Sequence, residues 1–329
     1  MSQAGPAAGA RETTPGRGAR HAATRIDLVA CPALIGMHLA GLAVFWTGVS
    51  PVAIGIAVAL FVVRGFGISA GYHRLLSHRS FRTSRGLQLC FAAIGASAAQ
   101  LGPLWWAGHH RRHHRESDGP GDLHSPVQGG FFFAHIGWLL TNSASRTAIE
   151  EVPDLARFAE LRWLDRWHWI PTLVTAAACF ALGAVLEQQA PALGTSGAQM
   201  LVVGFLWSTL AMYHATYAVN SFGHTIGWRR YETGDQSRNN PLVALVTLGE
   251  GWQNNHHRFP AAARSGIFWW EFDPTWWLLR GLAALGLVWD VRPVPAEAYS
   301  ERLRPLRPYQ SAPASTATQT KPNASPTRP

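Results

Sequence analysis

Eight of the chain's fifteen histidines fall into four short clusters, and imidazole at that density points to metal ligation. The clusters are His73-Arg-Leu-Leu-Ser-His78, His110-Arg-Arg-His113-His114, Asn220-Ser-Phe-Gly-His224 and Gln253-Asn-Asn-His256-His257. Residues three and four apart share a helix face. His110, His113 and His114 are therefore expected to converge on one point, and Gln253, His256 and His257 on another. His73 and His78 are five apart, about 140° around an α-helix, so they should serve different metal ions or lie on a bent segment.

The number of candidate ligands implies two metals. A structural zinc closes its sphere with four ligands, normally including cysteine, and a catalytic zinc uses three plus water. A mononuclear iron oxygenase uses two histidines and a carboxylate, and a soluble diiron bundle supplies Glu and Glu-x-x-His from four helices. Neither pattern is present. The acids near the clusters, Glu116, Asp118, Asp122 and Glu250, suit acceptance of ring N–H groups better than a carboxylate-bridged core. Cys31, Cys90 and Cys179 sit in apolar stretches with no CxxC pair and read as small core residues. His21, His38, His135, His168 and His214 are isolated and expected to be structural, while His109 and His124 flank the second cluster.

The elements that must position these clusters are membrane helices. Although 14% of the 329 residues are charged, Leu28 to Trp46 and Trp169 to Leu186 contain no acid or base and approach the ~20 residues needed to cross a bilayer. Gln199 to Phe222 is also uncharged, and Val52 to Val63 is apolar but meets Arg64 before resuming as Gly65 to Tyr72. Four spans are expected. The short connections Thr47 to Pro51 and Glu187 to Ala198 carry no Lys or Arg, whereas arginine is dense in the N-terminal tail, from Arg64 to Arg166 and after Arg229. The positive-inside rule then places both tails, both long loops and all four clusters in the cytoplasm. The net charge of +9 is mainly this topological signal, and no nucleic-acid module accompanies it. Residues 1–25 lack the apolar core of a signal peptide and read as a disordered basic tail, 26–297 as the membrane domain, and 298–329 as a Pro/Ser/Thr-rich disordered tail.

Over roughly Ile26 to Pro295 the chain resembles the membrane-bound acyl-CoA desaturase family of the stearoyl-CoA desaturase type. The matching segments are HRLLSH, HRRHH, Asp122-Leu-His-Ser-Pro followed by Gly130-Phe-Phe-Phe-Ala-His-Ile-Gly-Trp138, VNSFGH, and Gly249-Glu-Gly-Trp-Gln-Asn-Asn-His-His257. The resemblance implies an all-α integral membrane fold, with four transmembrane helices and a cytosolic helical cap carrying a histidine-rich diiron site. It carries the ligand role to His73, His78, His110, His113, His114, His224, His256 and His257, and it makes Asn220 the holder of a metal-bound water. One position departs: the family's final motif begins with histidine where this chain has Gln253. An amide oxygen is a weaker iron ligand than imidazole, so a water-bridged Gln253 is expected first and direct ligation second.

The implied reaction is O₂-dependent insertion of a cis double bond, Δ9-type by resemblance, into a long-chain acyl thioester or acyl lipid. Breaking an unactivated C–H bond is beyond any side chain, so the cofactor must supply the oxidant, which the two irons implied by the resemblance can do, while the protein aims it. Electrons would come from an external ferredoxin, rubredoxin or cytochrome with its reductase. Related alternatives are an acyl hydroxylase or acetylenase with the same site, or a catalytically silent metal- or lipid-binding membrane protein. Where the animal enzymes place a basic residue and an acid to contact coenzyme A, this chain has Gly108 and His109, and Gln128 and Gly129 replace a second basic pair. Coenzyme A, a carrier protein or a phospholipid therefore remain open as acyl carriers, with Arg111, Arg112 and Arg115 as candidates for acidic groups. Trp106 and Trp252, each beside a ligand cluster, are the candidates for lining the acyl tunnel. Trp269 and Trp270 suit the membrane interface. A bacterial inner membrane is the expected location.

Overall fold

A computed structural model describes residues 25–300, and the expected terminal tails lie almost wholly outside them. The packed body reaches at least Ala298, which is buried and accepts the Tyr231 hydroxyl at 2.7 Å. The architecture is helical, with one two-stranded antiparallel pair, Arg82–Thr83 against Val288–Trp289.

Helix α1 (Ala30–Gly41) continues through a turn to Val44–Thr47, and α2 (Pro51–Phe66) begins where Ser50 accepts Ala53 N and proline occupies the first turn. α2 runs without a break into a π-helical segment, Gly67–Ser77. α3 (Arg85–Ser97) is capped by Ser84, α4 (Pro103–Glu116) carries the second histidine cluster, and α5 is Trp169–Gln189. A second π-helical segment, Met200–Trp207, leads into α6 (Ser208–Ser221), and α7 (Gln253–Arg258) carries the last cluster. Among the described residues, three helical stretches are long and apolar enough to cross a bilayer: Ala30–Thr47, Pro51–Ser77 and Trp169–Gln189. The fourth expected span is helical throughout, but Tyr213, His214 and Tyr217 make its second half more polar.

Arg64 does not interrupt the second span, because its charge is buried against neutral acceptors from two neighbouring helices. It donates to Thr209 Oγ1 at 2.7 Å and Ser97 O at 3.4 Å, and it also bonds Ser208. The π segment lies directly on α3. A Cβ on Gly67 would stand 2.6 Å from Gly95 N, so glycine is needed for that approach. The start of α4 is set from outside the helix: Asp165 Oδ1 accepts Leu104 N and Trp105 N, each at 2.9 Å. The carboxylate fits there because residue 102 is glycine, whose Cβ would lie 2.1 Å from Asp165 Oδ1.

Candidate metal centre

The four histidine motifs meet as two adjacent groups. His73, His78, His110, His114 and His256 form one, and His113, His224 and His257 the other. His114 and His257, one from each group, have ring centroids 4.5 Å apart.

Two expectations about spacing are corrected. His73 and His78 belong to the same group, because the segment between them is π-helical. The His78 N–H donates to the His73 carbonyl at 3.1 Å, and that five-residue bond stacks the two residues on one face. The runs expected to converge instead divide. His110 and His114, four apart, stay together, while His113 turns to the other group, and His256 and His257 separate likewise. Neighbours on a helix point about 100° apart, so each His-His pair reaches into both groups.

Within the five-histidine group the Nε2 atoms face one another: His73 to His256 at 2.9 Å, His78 to His110 at 2.7 Å, and His256 to His114 at 2.9 Å. Burial first, and then repulsion among neighbouring imidazoles, pushes His78, His110, His114 and His256 well below the ordinary histidine range. Neutral rings with converging lone pairs are what a cation requires. In the three-histidine group the Nε2 atoms of His224 and His257 are buried with no hydrogen-bond partner among the described residues. Orphaned imidazole nitrogens of this kind fit a metal ion.

The opposite ring nitrogens are held by carboxylates. His113 Nδ1 lies 3.0 Å from Asp122, His224 Nδ1 2.9 Å from Asp118, His257 Nδ1 2.5 Å from Asp235, and His73 Nδ1 2.5 Å from Glu250. Burial raises each of these acids, yet the adjoining imidazoles draw all four below the usual carboxylate range, helped at Glu250 by Arg74. At His113, His224 and His257 the ionised acceptors fix the proton on Nδ1 and leave Nε2 as the donor to a metal. Asp118, Asp122 and Glu250 take the place expected of them. Glu116 does not: it lies beside Arg115 at 3.5 Å. Asp235 escaped the sequence reading because it sits eleven positions after His224 in a loop with no fixed spacing to either ligand motif.

Gln253 is buried, with its Cγ against Gly223, and with Asn220 it lines a cavity of about 60 Å³ beside His73, His110 and His113. A larger cavity of about 250 Å³ lies on the other side, bordered by Leu34, Met37, Trp105, His109, Tyr213 and Tyr217 among others. Trp106, His110, Thr216 and Asn220 line both. Trp106 stacks on His110 at 5.0 Å, and Gln100 Nε2 donates to Thr216 Oγ1 at 2.8 Å across the same junction. The Gln100–Thr216 pair carries no signal in sequence, since 115 residues intervene.

Other candidate substrate contacts are placed elsewhere. Trp252 lines neither cavity and donates its indole N–H to Phe272 O at 2.8 Å. Arg111 is committed to Asp154 at 2.6 and 3.0 Å and to the carbonyls of Leu76 and Ser77, so it clamps α4 to the π segment. Arg115 is paired twice with Glu151, at 2.6 Å each, and Arg112 borders neither cavity. Asn254 and Asn255, between Gln253 and the His-His pair, are structural. Asn254 Oδ1 accepts Arg230 N and Tyr231 N at 2.7 Å, and Asn255 Nδ2 donates to Glu271 at 2.8 Å.

A family model described as "Fatty acid desaturase" matches residues 15–292. The chain is 37% identical over 261 residues to the sn-1 stearoyl-lipid 9-desaturase of Anabaena variabilis, an alignment covering 78% of this chain and 91% of that one. It is 37% identical over 255 residues to the acyl-CoA 5-desaturase AL21 of Anemone leveillei, covering 75% and 74% respectively. To the palmitoyl-monogalactosyldiacylglycerol delta-7 desaturase of Arabidopsis thaliana it is 37% identical over 286 residues, covering 84% and 72%.

Proposed function

The chain belongs to the fatty acid desaturase family, and we propose that its two histidine groups hold two non-haem iron ions at the bend of a path for a long acyl chain. It is an oxidoreductase acting on fatty acyl substrates. His73, His78, His110, His114 and His256 would bind one ion, and His113, His224 and His257 the other, with Asn220 and Gln253 offering amide groups to a bound water. The observation that carries this reading is the gathering of eight imidazoles into two groups, with carboxylates against the Nδ1 atoms of His113, His224 and His257 and with His110 bordering both cavities.

Once bound, the iron pair would supply the chemistry no side chain has, reduction of dioxygen with two external electrons and removal of two hydrogens from adjacent methylenes. The protein's own contribution is placement. Trp106 forms the shared wall around which the chain bends, and the Gln100–Thr216 bond holds the opposite side of that bend. The apolar linings exclude water from the reacting carbons, and the distance and angle at which the chain meets the oxidant would select between desaturation and hydroxylation. No side-chain acid or base is needed for the C–H step. A cis product of Δ9 type, an external ferredoxin, rubredoxin or cytochrome as donor, and a four-span topology with a cytoplasmic metal site in a bacterial inner membrane complete the proposal. The three apolar helices and the arginine distribution support that topology.

Expression in a host lacking its own desaturase, followed by gas chromatography of total fatty acids, tests the reading. Monounsaturated acids are expected, and hydroxy acids alone or an unchanged profile would overturn it. Metal analysis of the purified protein should find about two irons per chain, falling when His113 is changed to alanine.

A further inference from the structure

Three histidines outside both metal groups form a continuous file along the flank of the larger cavity. His38 Nδ1 lies 2.7 Å from Leu34 O, His38 Nε2 3.1 Å from His214 Nε2, His214 Nδ1 3.1 Å from His135 Nε2, and His135 Nδ1 2.9 Å from Ser221 Oγ. Leu34 O can only accept, which orders the file of neutral rings: His38 donates to the carbonyl, His214 to His38 and His135 to His214, and the file ends at Ser221, whose hydroxyl also donates to Tyr217 O at 3.1 Å. The file ties α1 to α6 and to the short helix Phe131–His135.

Those elements are the side wall of the larger cavity. Ala30, Ala33, Leu34 and Met37 line it from α1, and Tyr213, Thr216, Tyr217 and Asn220 from α6 and its end. α1 is lightly held, with Gly41 its one buried residue and Ile35 and Leu39 exposed on its outer face. Its ends are fixed: Asp27 N donates to Leu140 O at 2.8 Å, Asn142 N to Arg25 O at 2.9 Å, and the Trp207 indole to Gly41 O at 3.0 Å. Between those ends the seam with α6 is joined by the His38–His214 bond and by Tyr213 to Met37 Sδ at 3.7 Å. A helix pinned at both ends and latched in the middle can part from its neighbour without unfolding.

Building on the desaturase reading, we propose that the α1–α6 seam is a lateral portal through which the acyl chain of a membrane glycerolipid enters from the bilayer, with the His38–His214–His135 file as its latch. The cavity continues from the seam to His110 and Asn220 at the metal groups, so a chain entering sideways reaches the reacting site directly. Among the described residues none that lines that cavity is Lys or Arg, and the neighbouring Arg111 and Arg115 are committed to Asp154 and Glu151. The wall thus offers apolar contact to an esterified chain and no cationic grip for the phosphates of a soluble carrier. Each latch bond shifts the closed-to-open ratio by about fivefold, the worth of one net hydrogen bond, which a bilayer-resident substrate can overcome.

The test uses the full-length protein in phosphatidylcholine vesicles doped with a phosphatidylcholine bearing a diazirine midway along one acyl chain. Cys31, Cys90 and Cys179 are first replaced, and His38→Cys with His214→Cys then provides a pair that a short reducible bifunctional thiol reagent can bridge. Photolabelling of peptides from α1 and α6 on the cavity side is expected in the uncrosslinked protein. It should fall at least about fivefold when the seam is bridged and return on reduction. Iron content measured in the same samples reports that the fold is intact. Equal labelling of bridged and unbridged protein overturns the portal, as does cavity labelling by photoreactive palmitoyl-CoA with none by the phospholipid. Labelling that follows the bridge in a protein that makes no unsaturated product upholds the portal and refutes the desaturase reading instead.

Discussion

The two histidine groups differ in what they spend on each ligand. The five-histidine group has many nitrogens and little outside support, since Glu250, behind His73, is its one carboxylate against a ring Nδ1 among the described residues. The three-histidine group has fewer nitrogens, but every one is backed: His113 by Asp122, His224 by Asp118 and His257 by Asp235. A carboxylate behind an imidazole fixes its tautomer and orientation and makes the ring a stronger donor. Gln253 packs its Cγ against Gly223, next to His224 of the sparser group, and in the small cavity it borders His73 and His110 as well as His113. On the two-iron reading, the difference teaches that ligand number and ligand preparation can offset each other: the group with fewer imidazoles is the one whose imidazoles are held most firmly.

That comparison can be broken from either side. His256→Ala removes a ring that touches both His73 and His114, so iron should drop to about one per chain and turnover fall by more than about a hundredfold, read by metal analysis and product chromatography. Glu250→Gln should follow. It frees His73 and also strips a buried Arg74 of one of its two carboxylates, lowering stability by about 3 kcal/mol in denaturant titration of the purified protein. Asp235→Asn tests preparation alone. The ring of His257 stays, but iron affinity at the sparser group should weaken by about 10–100-fold in chelator competition. If Asp235→Asn retains iron as well as the parent, carboxylate backing does not offset the missing imidazole. Gln253→His should narrow the contrast, raising iron retention in the same competition by up to about tenfold and making Asp235→Asn less harmful when the two are combined. Glu116→Gln, at an acid that faces no ring, should change stability by no more than about 0.5 kcal/mol.

Much of the site was legible because histidine clusters and uncharged runs are local signals. Eight histidines, Asn220 and three of the four supporting acids could be named from motif neighbourhoods. What stayed hidden was set by contacts distant in sequence. Asp235 meets His257 through a loop, and Arg111 is consumed by Asp154 across 43 positions. Trp252 beside the ligand motif turns away to Phe272. His38, His214 and His135 looked isolated because each lies on a different element, and only folding joins them. The division of each His-His pair between the two groups follows from helix rotation and was available in principle.

The wide turn between His73 and His78 also bears on how such motifs are written. His110 and His114 stand four apart on an ordinary α-helix, while His73 and His78 stand five apart where the backbone bonds five residues back, and both pairs reach the same group. The same geometric word therefore has two spellings within one chain, distinguished by a single inserted residue. A pattern that fixes the gap counts letters, whereas a metal ion counts turns. Relatives that lost or gained one residue between paired histidines would be discarded by such a pattern while keeping both imidazoles on one face.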